Sequence, residues 1–162
     1  MGMALLIESD PELECPNGFP DTDSKNFLGT MFGPRVQVLE RRLKVDLAPL
    51  KYCATDTSEG ADEMMREDWG DEADAMIAEA RRNSELAWHS PDEFIVCFEQ
   101  LVKRLEESGR KLSSANCRAI SMGDHERGYF QSGSFFNDVS GCLAAVRLLK
   151  EKAARRVRFF AF

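Results

Sequence analysis

The sequence predicts a single α+β domain over 1–162, in which about four helices pack on a small mixed or antiparallel sheet. Three observations lead to this fold class. A chain of 162 residues fits one domain. Amphipathic helical spacing fills much of the second half, and short apolar runs at 4–7 and 157–162 are typical of strands. Because the second run holds three phenylalanines, we expect a buried C-terminal strand that ends at the last residue.

The first third of the chain is predicted to hold one strand and two helices. The apolar run at 4–7 is the strand, and 11–23 is a loop because it is rich in proline and contains Asn-Gly. Apolar residues recur at helical spacing over 26–32. A second helix is predicted over 35–43, directly after a Gly-Pro pair that suits a helix start. The next residues, 44–53, fit either extended chain or a turn.

An acidic stretch follows these elements. Between Thr55 and Glu79 the sequence carries ten acidic residues against one base, Arg66. We expect 55–70 to be a polar, acidic and mobile segment. The residues 71–88 are predicted to form a helix, since they carry a thin apolar stripe and their early acids favour the positive start of a helix dipole.

The clearest local signal in the chain is Ser90-Pro91-Asp92-Glu93. It combines a serine N-cap, a proline at the first helical position and a glutamate three residues after the cap. One apolar face follows, and Gly109 supplies a stop. The pattern predicts a helix over 91–108.

The last third is predicted to hold a strand, a loop and a long helix. The strand lies around 116–121, a glycine-rich loop continues through Gly133, and the helix covers 135–154 with Ser134 as its N-cap. Basic residues close this region, and we interpret them as compensating the helix dipole rather than binding phosphate. They are Lys150, Lys152, Arg155, Arg156 and Arg158.

Composition restricts the class of protein. A net charge of −7 argues against nucleic-acid binding, and no apolar run approaches the length of a membrane span. The N-terminus lacks the basic leader of a secretory signal. Five cysteines form no CxxC pair, which favours a reduced, cytoplasmic protein. No motif for a cofactor or a metal ion is found, so we expect neither.

One candidate binding surface lies in the acidic stretch, where Trp69 stands among Asp68, Asp71, Glu72 and Asp74 in a predicted loop. The preferred interpretation is that this tryptophan packs against the domain. The alternative is that it is presented to a partner, because tryptophan is enriched among binding hot spots. An acidic face of this kind suits a basic protein, since opposite charges accelerate the encounter.

A second candidate site would make the protein an enzyme. Asp124, His125 and Glu126 lie between glycines, and an acid beside an imidazole can transfer protons in a small hydrolase-like enzyme. Cys117 could supply a nucleophile if the fold brought it to His125. A solvated turn and a half-buried cysteine are the preferred interpretations of these residues.

The end of the chain resembles that of a known family. Gly133-Ser134-Phe135-Phe136, then an apolar helix, then Arg156-Val157-Arg158-Phe159 is similar to the ending of small immunity proteins from bacterial polymorphic toxin systems. The likeness covers 133–162 and the tryptophan–helix arrangement at 88–107. It implies an α+β protein whose final helix runs into an edge strand. It also implies a cytosolic non-enzyme that binds and neutralises a cognate toxin, and it assigns no catalytic residue.

Three functions follow as expectations. The preferred one is a non-catalytic protein-binding module, with immunity to a basic toxin as its sharpest form. The second is a small enzyme that uses the 124–126 loop. The third is an oligomeric structural or regulatory subunit that dimerises through an apolar face.

Overall fold

The computed structural model describes residues 5–14, 24–120 and 124–161, with the side chains of 24, 124 and 125 outside that description. Its sheet has three strands: β1 is Leu5–Asp10, β2 is Ala54–Thr55 and β3 is Arg156–Ala161. The strand order is β1-β3-β2. β1 pairs antiparallel with β3, from Leu5 opposite Ala161 to Asp10 opposite Arg156, and β2 pairs parallel with β3. The predicted small mixed sheet is therefore confirmed.

The last strand occupies a different place from the one that the resemblance implied. β3 is the central strand of the sheet, with a neighbour on each side, and is not an edge strand. It runs to Ala161, while Phe162 lies outside the described residues, as does Ala4 before β1. β1 and β3 are the longest strands of the described sheet and pair with each other. The sheet thus joins the first described residues to the last.

Helices make up most of the described chain, and the expected number of about four was too low. Residues 11–14 are irregular, as predicted for the start of the 11–23 loop, and 15–23 lie outside the described residues. Two short 3₁₀ turns cover Ala48–Leu50 and Gly70–Glu72. The helices are α1 Ser24–Met31, α2 Pro34–Leu43, α3 Glu59–Trp69, α4 Ala73–Leu86, α5 Pro91–Glu107, α6 Ser114–Ile120, α7 Asp124–Gln131 and α8 Ser134–Glu151.

The predicted strand near 116–121 is wrong, because Ser114–Ile120 forms α6. Ser113 starts this helix: its Oγ accepts a hydrogen bond from the Asn116 N–H at 3.2 Å. Cys117 and Ile120, three residues apart, are both buried, which is the spacing of one helical face. The glycine-rich loop is also largely helical, since α7 begins at Asp124; residues 121–123 lie outside the described part.

The core lies between the sheet and the packed pair α5 and α8. Phe159 projects from β3 and is fully buried, with its ring centre 5.2 Å from that of Phe94 and 5.8 Å from that of Phe98 on α5. Phe32, just after α1, belongs to the same cluster, with its ring centre 5.5 Å from that of Phe159. At least part of the aromatic C-terminal run is therefore buried as predicted.

Local sequence signals determine where α5 and α8 begin. The predicted capping box is present, because Ser90 Oγ accepts from the Glu93 N–H while the Glu93 side chain accepts from the Ser90 N–H. At α8 the predicted cap is displaced by one residue. Gly133 occupies the cap with a φ of 92°, a conformation that glycine adopts easily, and Ser134 is the first helical residue.

The other face of the sheet carries a charged and aromatic cluster. The Trp88 ring lies against the guanidinium groups of Arg156 and Arg158, at 4.8 and 4.4 Å. Carboxylates of β1 hold the same cations, since Glu8 pairs with Arg158 and Asp10 with Arg156. Much of the basic charge at the end of the chain is thus neutralised within the protein, in addition to any interaction with the helix dipole.

Candidate functional site: the acidic helical hairpin

The acidic stretch folds into a helical hairpin, which we define as Glu59–Leu86: α3, the 70–72 turn and α4. Ser58 starts α3, because its Oγ accepts from the Ala61 N–H at 3.3 Å. Gly70, with a φ of 54°, ends it. The segment 55–70 is therefore helical for most of its length, and its mobility stays a prediction.

The candidate binding residues do not lie in a loop. Asp68 and Trp69 form the end of α3, Asp71 and Glu72 belong to the 3₁₀ turn, and Asp74 is in the first turn of α4. All five are exposed. The hairpin turn therefore brings the predicted surface together at one end of two helices.

Few contacts attach α3 to the rest of the protein. Within α3, all of which is described, Asp62 is the one buried residue, and it pairs with Arg81 of α4. Near the turn, Arg66 Nε lies 3.4 Å from Asp74 Oδ1. The hairpin is anchored at its other end, where the Thr55 N–H of β2 donates to Ser84 Oγ at 3.3 Å. The turn and α3 are consequently largely exposed.

Trp69 is 55% exposed, so the preferred interpretation of core packing is wrong for this residue. Met64, on the same helix, is 64% exposed. The apolar stripe of α3 is too thin to bury both, because the residues of this helix that are at least partly buried are Ala61, Asp62 and Met65. Two large apolar side chains are left on an acidic surface.

The charge on this surface is only partly compensated. Asp62, Asp74 and Glu79 have arginine partners. Among the described residues, the other acids of α3 and its turn have no ion pair with a base: Glu59, Glu63, Glu67, Asp68, Asp71 and Glu72. Uncompensated charge of one sign on an exposed surface attracts the opposite charge over roughly 8 Å at physiological salt.

The alternative enzymatic site is only partly described. Cys117 is buried in α6, where its thiol donates to the Leu112 carbonyl at 3.7 Å, and burial raises its pKa. A raised pKa opposes formation of the thiolate that a nucleophile needs. Glu126, in α7, forms an ion pair of 2.9 Å with Arg35 of α2. Asp124 and His125 begin α7, and their side chains lie outside the described part, so a pairing of His125 stays a hypothesis.

The other histidine has a structural role. His89 exchanges two backbone hydrogen bonds with Val157 of β3, at 3.0 and 2.8 Å. Its ring meets Phe94 edge-on, with the ring centres 5.4 Å apart. These hydrogen bonds form a bridge to the sheet that the sequence pattern did not indicate.

The described residues contain no group of three or more histidine, cysteine, aspartate or glutamate side chains arranged to hold a metal ion. None of the helices in the described ranges combines the length and apolarity required to cross a bilayer. Comparisons with protein-family models, with curated proteins and with solved structures find no match to this chain.

Proposed function

We propose that this protein is a non-catalytic binding module whose acidic hairpin binds a basic protein. The observation that carries the proposal is the position of Trp69, exposed at the tip of the hairpin beside Asp68, Asp71 and Glu72, whose carboxylates have no ion pair with a base in the described structure. A hydrophobic ring in an acidic surround suits an interface, where an aromatic anchor supplies affinity and surrounding charges supply rate.

The sharpest form of the proposal is immunity to a toxin. A nuclease or another enzyme that acts on an anionic substrate has a basic cleft, which an acidic surface can cover. The resemblance of residues 133–162 to immunity proteins supports this form, because that family acts by binding and not by chemistry. The proposal expects the gene of a basic toxin beside the gene of this protein, and a one-to-one complex of the two products.

The test measures association with that toxin at low salt. A fourfold charge reversal, Asp68→Lys, Asp71→Lys, Glu72→Lys and Asp74→Lys, is expected to lower the association rate constant by about tenfold or more, because the steering field changes sign. Trp69→Ala is expected to weaken the equilibrium affinity by about thirtyfold, mainly through faster dissociation. A stopped-flow measurement should separate the slower association of the charge-reversal variant from the faster dissociation of Trp69→Ala.

A matched control changes the total charge equally at other exposed sites. Four glutamates outside the hairpin serve for this: Glu12→Lys, Glu14→Lys, Glu106→Lys and Glu151→Lys. If this control slows association as much as the hairpin variant, net charge and not the hairpin determines the rate. Absence of any one-to-one complex by light scattering would remove the toxin form of the proposal.

A further inference from the structure

A groove of about 390 Å³ lies between α5 and the segment 46–49, on residues that the hairpin does not include. One wall is a single stripe of α5, formed by Asp92, Val96 and Gln100 at four-residue spacing. The other wall is the 46–49 segment, and His89 lies at the start of α5. A volume of this size fits one large side chain or a small ligand.

The second wall is held in place by hydrogen bonds. The Asp46 N–H donates to Gln100 Oε1 at 3.2 Å, which ties the segment to α5. Asp46 Oδ1 accepts from the Ala48 N–H at 3.0 Å, and Leu47 and Leu50 are fully buried beneath. The groove is therefore a fixed feature of the fold, because both walls are anchored to the core.

The groove is negatively charged. Three carboxylates line it, those of Asp46, Asp92 and Glu93, and its lining within the described chain includes no lysine or arginine. Lys150, which lies outside the groove, forms an ion pair with Asp92, so Asp46 and Glu93 are the two lining carboxylates without a lysine or arginine partner in the described structure. Hydrogen bonds from the Ser90 backbone and hydroxyl hold the pKa of Glu93 below its usual range, so this carboxylate is charged at neutral pH.

Between the carboxylates the groove is apolar. Val96 is 53% exposed on what is otherwise the polar face of α5, and Ala48 and Pro49 lie opposite. An uncharged apolar ligand would remove water from the carboxylates without compensation, and an anionic ligand would be repelled. The chemistry that satisfies both parts is a cation at the end of an aliphatic stem.

We infer that this groove binds an arginine side chain of a protein partner, with the aliphatic stem on Val96 and the guanidinium group at the carboxylates of Asp46, Asp92 and Glu93. Arginine fits better than a compact ammonium, because its planar guanidinium group can reach several carboxylates at once and can stack on the His89 ring. The inference uses no residue of the hairpin and does not depend on the function proposed for it.

The test titrates the full chain with the blocked peptide acetyl-Gly-Arg-Gly-amide and follows backbone amides by ¹⁵N–¹H NMR. Saturable shifts are expected at Asp46, Val96 and Gln100, with millimolar affinity, because ion pairs of a single side chain with solvent-exposed carboxylates contribute little. The matched peptide with norleucine in place of arginine keeps the stem and removes the charge. It should bind at least about fivefold more weakly.

A double variant tests the carboxylates. Asp46→Asn with Asp92→Asn keeps the oxygen that accepts from Ala48 and should weaken arginine-peptide binding about fivefold. Its control, Glu85→Gln with Glu106→Gln, removes two exposed acids elsewhere and should leave binding unchanged. Equal binding of the norleucine peptide, unchanged binding of the double variant, or shifts confined to other surfaces would overturn the inference. Shifts confined to the hairpin would overturn the groove inference and support the hairpin proposal instead. If a variant fails to fold, the comparison of the arginine and norleucine peptides on the natural chain still tests the inference.

Discussion

The guanidinium carbon of Arg158 lies 4.4 Å from the centre of the Trp88 ring, on the side of the sheet opposite the α5–α8 core. The same guanidinium group donates to Glu8 Oε2 at 2.6 Å and to the Ser84 carbonyl at 3.1 Å. One side chain of β3 thus connects β1, the end of α4 and the segment that leads into α5. These elements are distant in sequence, so the contact stabilises the folded arrangement and not any one element.

Replacing this arginine should cost a large part of the stability. Arg158→Ala is expected to lower the free energy of unfolding by about 2–3 kcal/mol, since it removes two charge-assisted hydrogen bonds and a cation–π contact from a side chain that is 19% exposed. Arg155→Ala is the control: its side chain is 74% exposed and pairs with Asp10 alone in the described structure, so the change should be within about 0.5 kcal/mol. Urea unfolding of both variants checks this, and equal losses would contradict it.

Phe159 should be among the most sensitive positions in the chain. Phe159→Ala is expected to destabilise the fold by about 3–5 kcal/mol, because it leaves a cavity between Phe94 and Phe98 where β3 meets α5. The comparison is Leu6→Ala on β1, whose side chain is half exposed and whose loss should cost below about 1 kcal/mol. Thermal and urea unfolding measure both. A small effect at Phe159 would mean that the centre of the sheet does not carry the core.

The α5 capping box should make stability depend on pH in acid. Hydrogen bonds from Ser90 lower the pKa of Glu93 in the folded protein, so its stabilising contribution is complete above the ordinary glutamate value of about 4.3. That contribution is lost as the pH falls through the lowered folded-state pKa. Glu93→Gln should therefore be less stable than the natural chain at neutral pH, and the difference should shrink in acid. Urea unfolding between neutral pH and pH of about 3 measures this.

Ser90→Ala provides the control for the capping box. It should cost about 1 kcal/mol by itself and reduce the pH-dependent difference between Glu93 and Gln, because the hydroxyl that donates to Glu93 is gone. The difference should not vanish, since the Ser90 N–H still donates at 2.8 Å. A difference that grows as the pH falls would show that the assigned sign is wrong.

An ion pair between the buried Asp62 of α3 and the exposed Arg81 of α4 helps to hold α3 on the protein. Arg81→Ala leaves the buried Asp62 carboxylate without its arginine and should destabilise α3 by about 1–3 kcal/mol. Amide hydrogen exchange should show this as faster exchange in Glu59–Trp69 with little change in α5. Arg82→Ala is the matched control on the next residue, because its ion pair with Glu79 is long at 3.9 Å and exposed. Equal acceleration of exchange in both variants would mean that the Asp62–Arg81 pair does not hold the helix.

Elements that are specified by nearby residues were predictable. The start of α5 was predicted from Ser90 to Glu93 because a capping box closes within one turn. α6 was missed for the opposite reason: its seven residues are too few for a clear period, and burial of Cys117 and Ile120 against other parts of the chain decides its state. The sequence pattern also could not predict the position of β3 in the sheet. β3 is central because it pairs with two strands that lie about 100 and 150 residues away in the sequence.

The candidate sites show the same division. The acidity of the hairpin is visible in the sequence. The exposure of Trp69 is not, because it depends on how little of α3 packs against α4. The arginine groove is not visible either, since its walls come from Asp46 and from Gln100, more than fifty residues apart, and a hydrogen bond between them forms it.

By itself, the sequence determined the α+β class, the helices with strong caps and apolar faces, the two apolar strands and the location of the negative charge. These follow from interactions within a few residues and from composition. The tertiary structure alone decided the strand order, the helical state of α6, and which tryptophan is partly covered by arginines and which is exposed. Those outcomes depend on long-range packing, where the free energy of a side chain is fixed by neighbours that only the folded chain brings together.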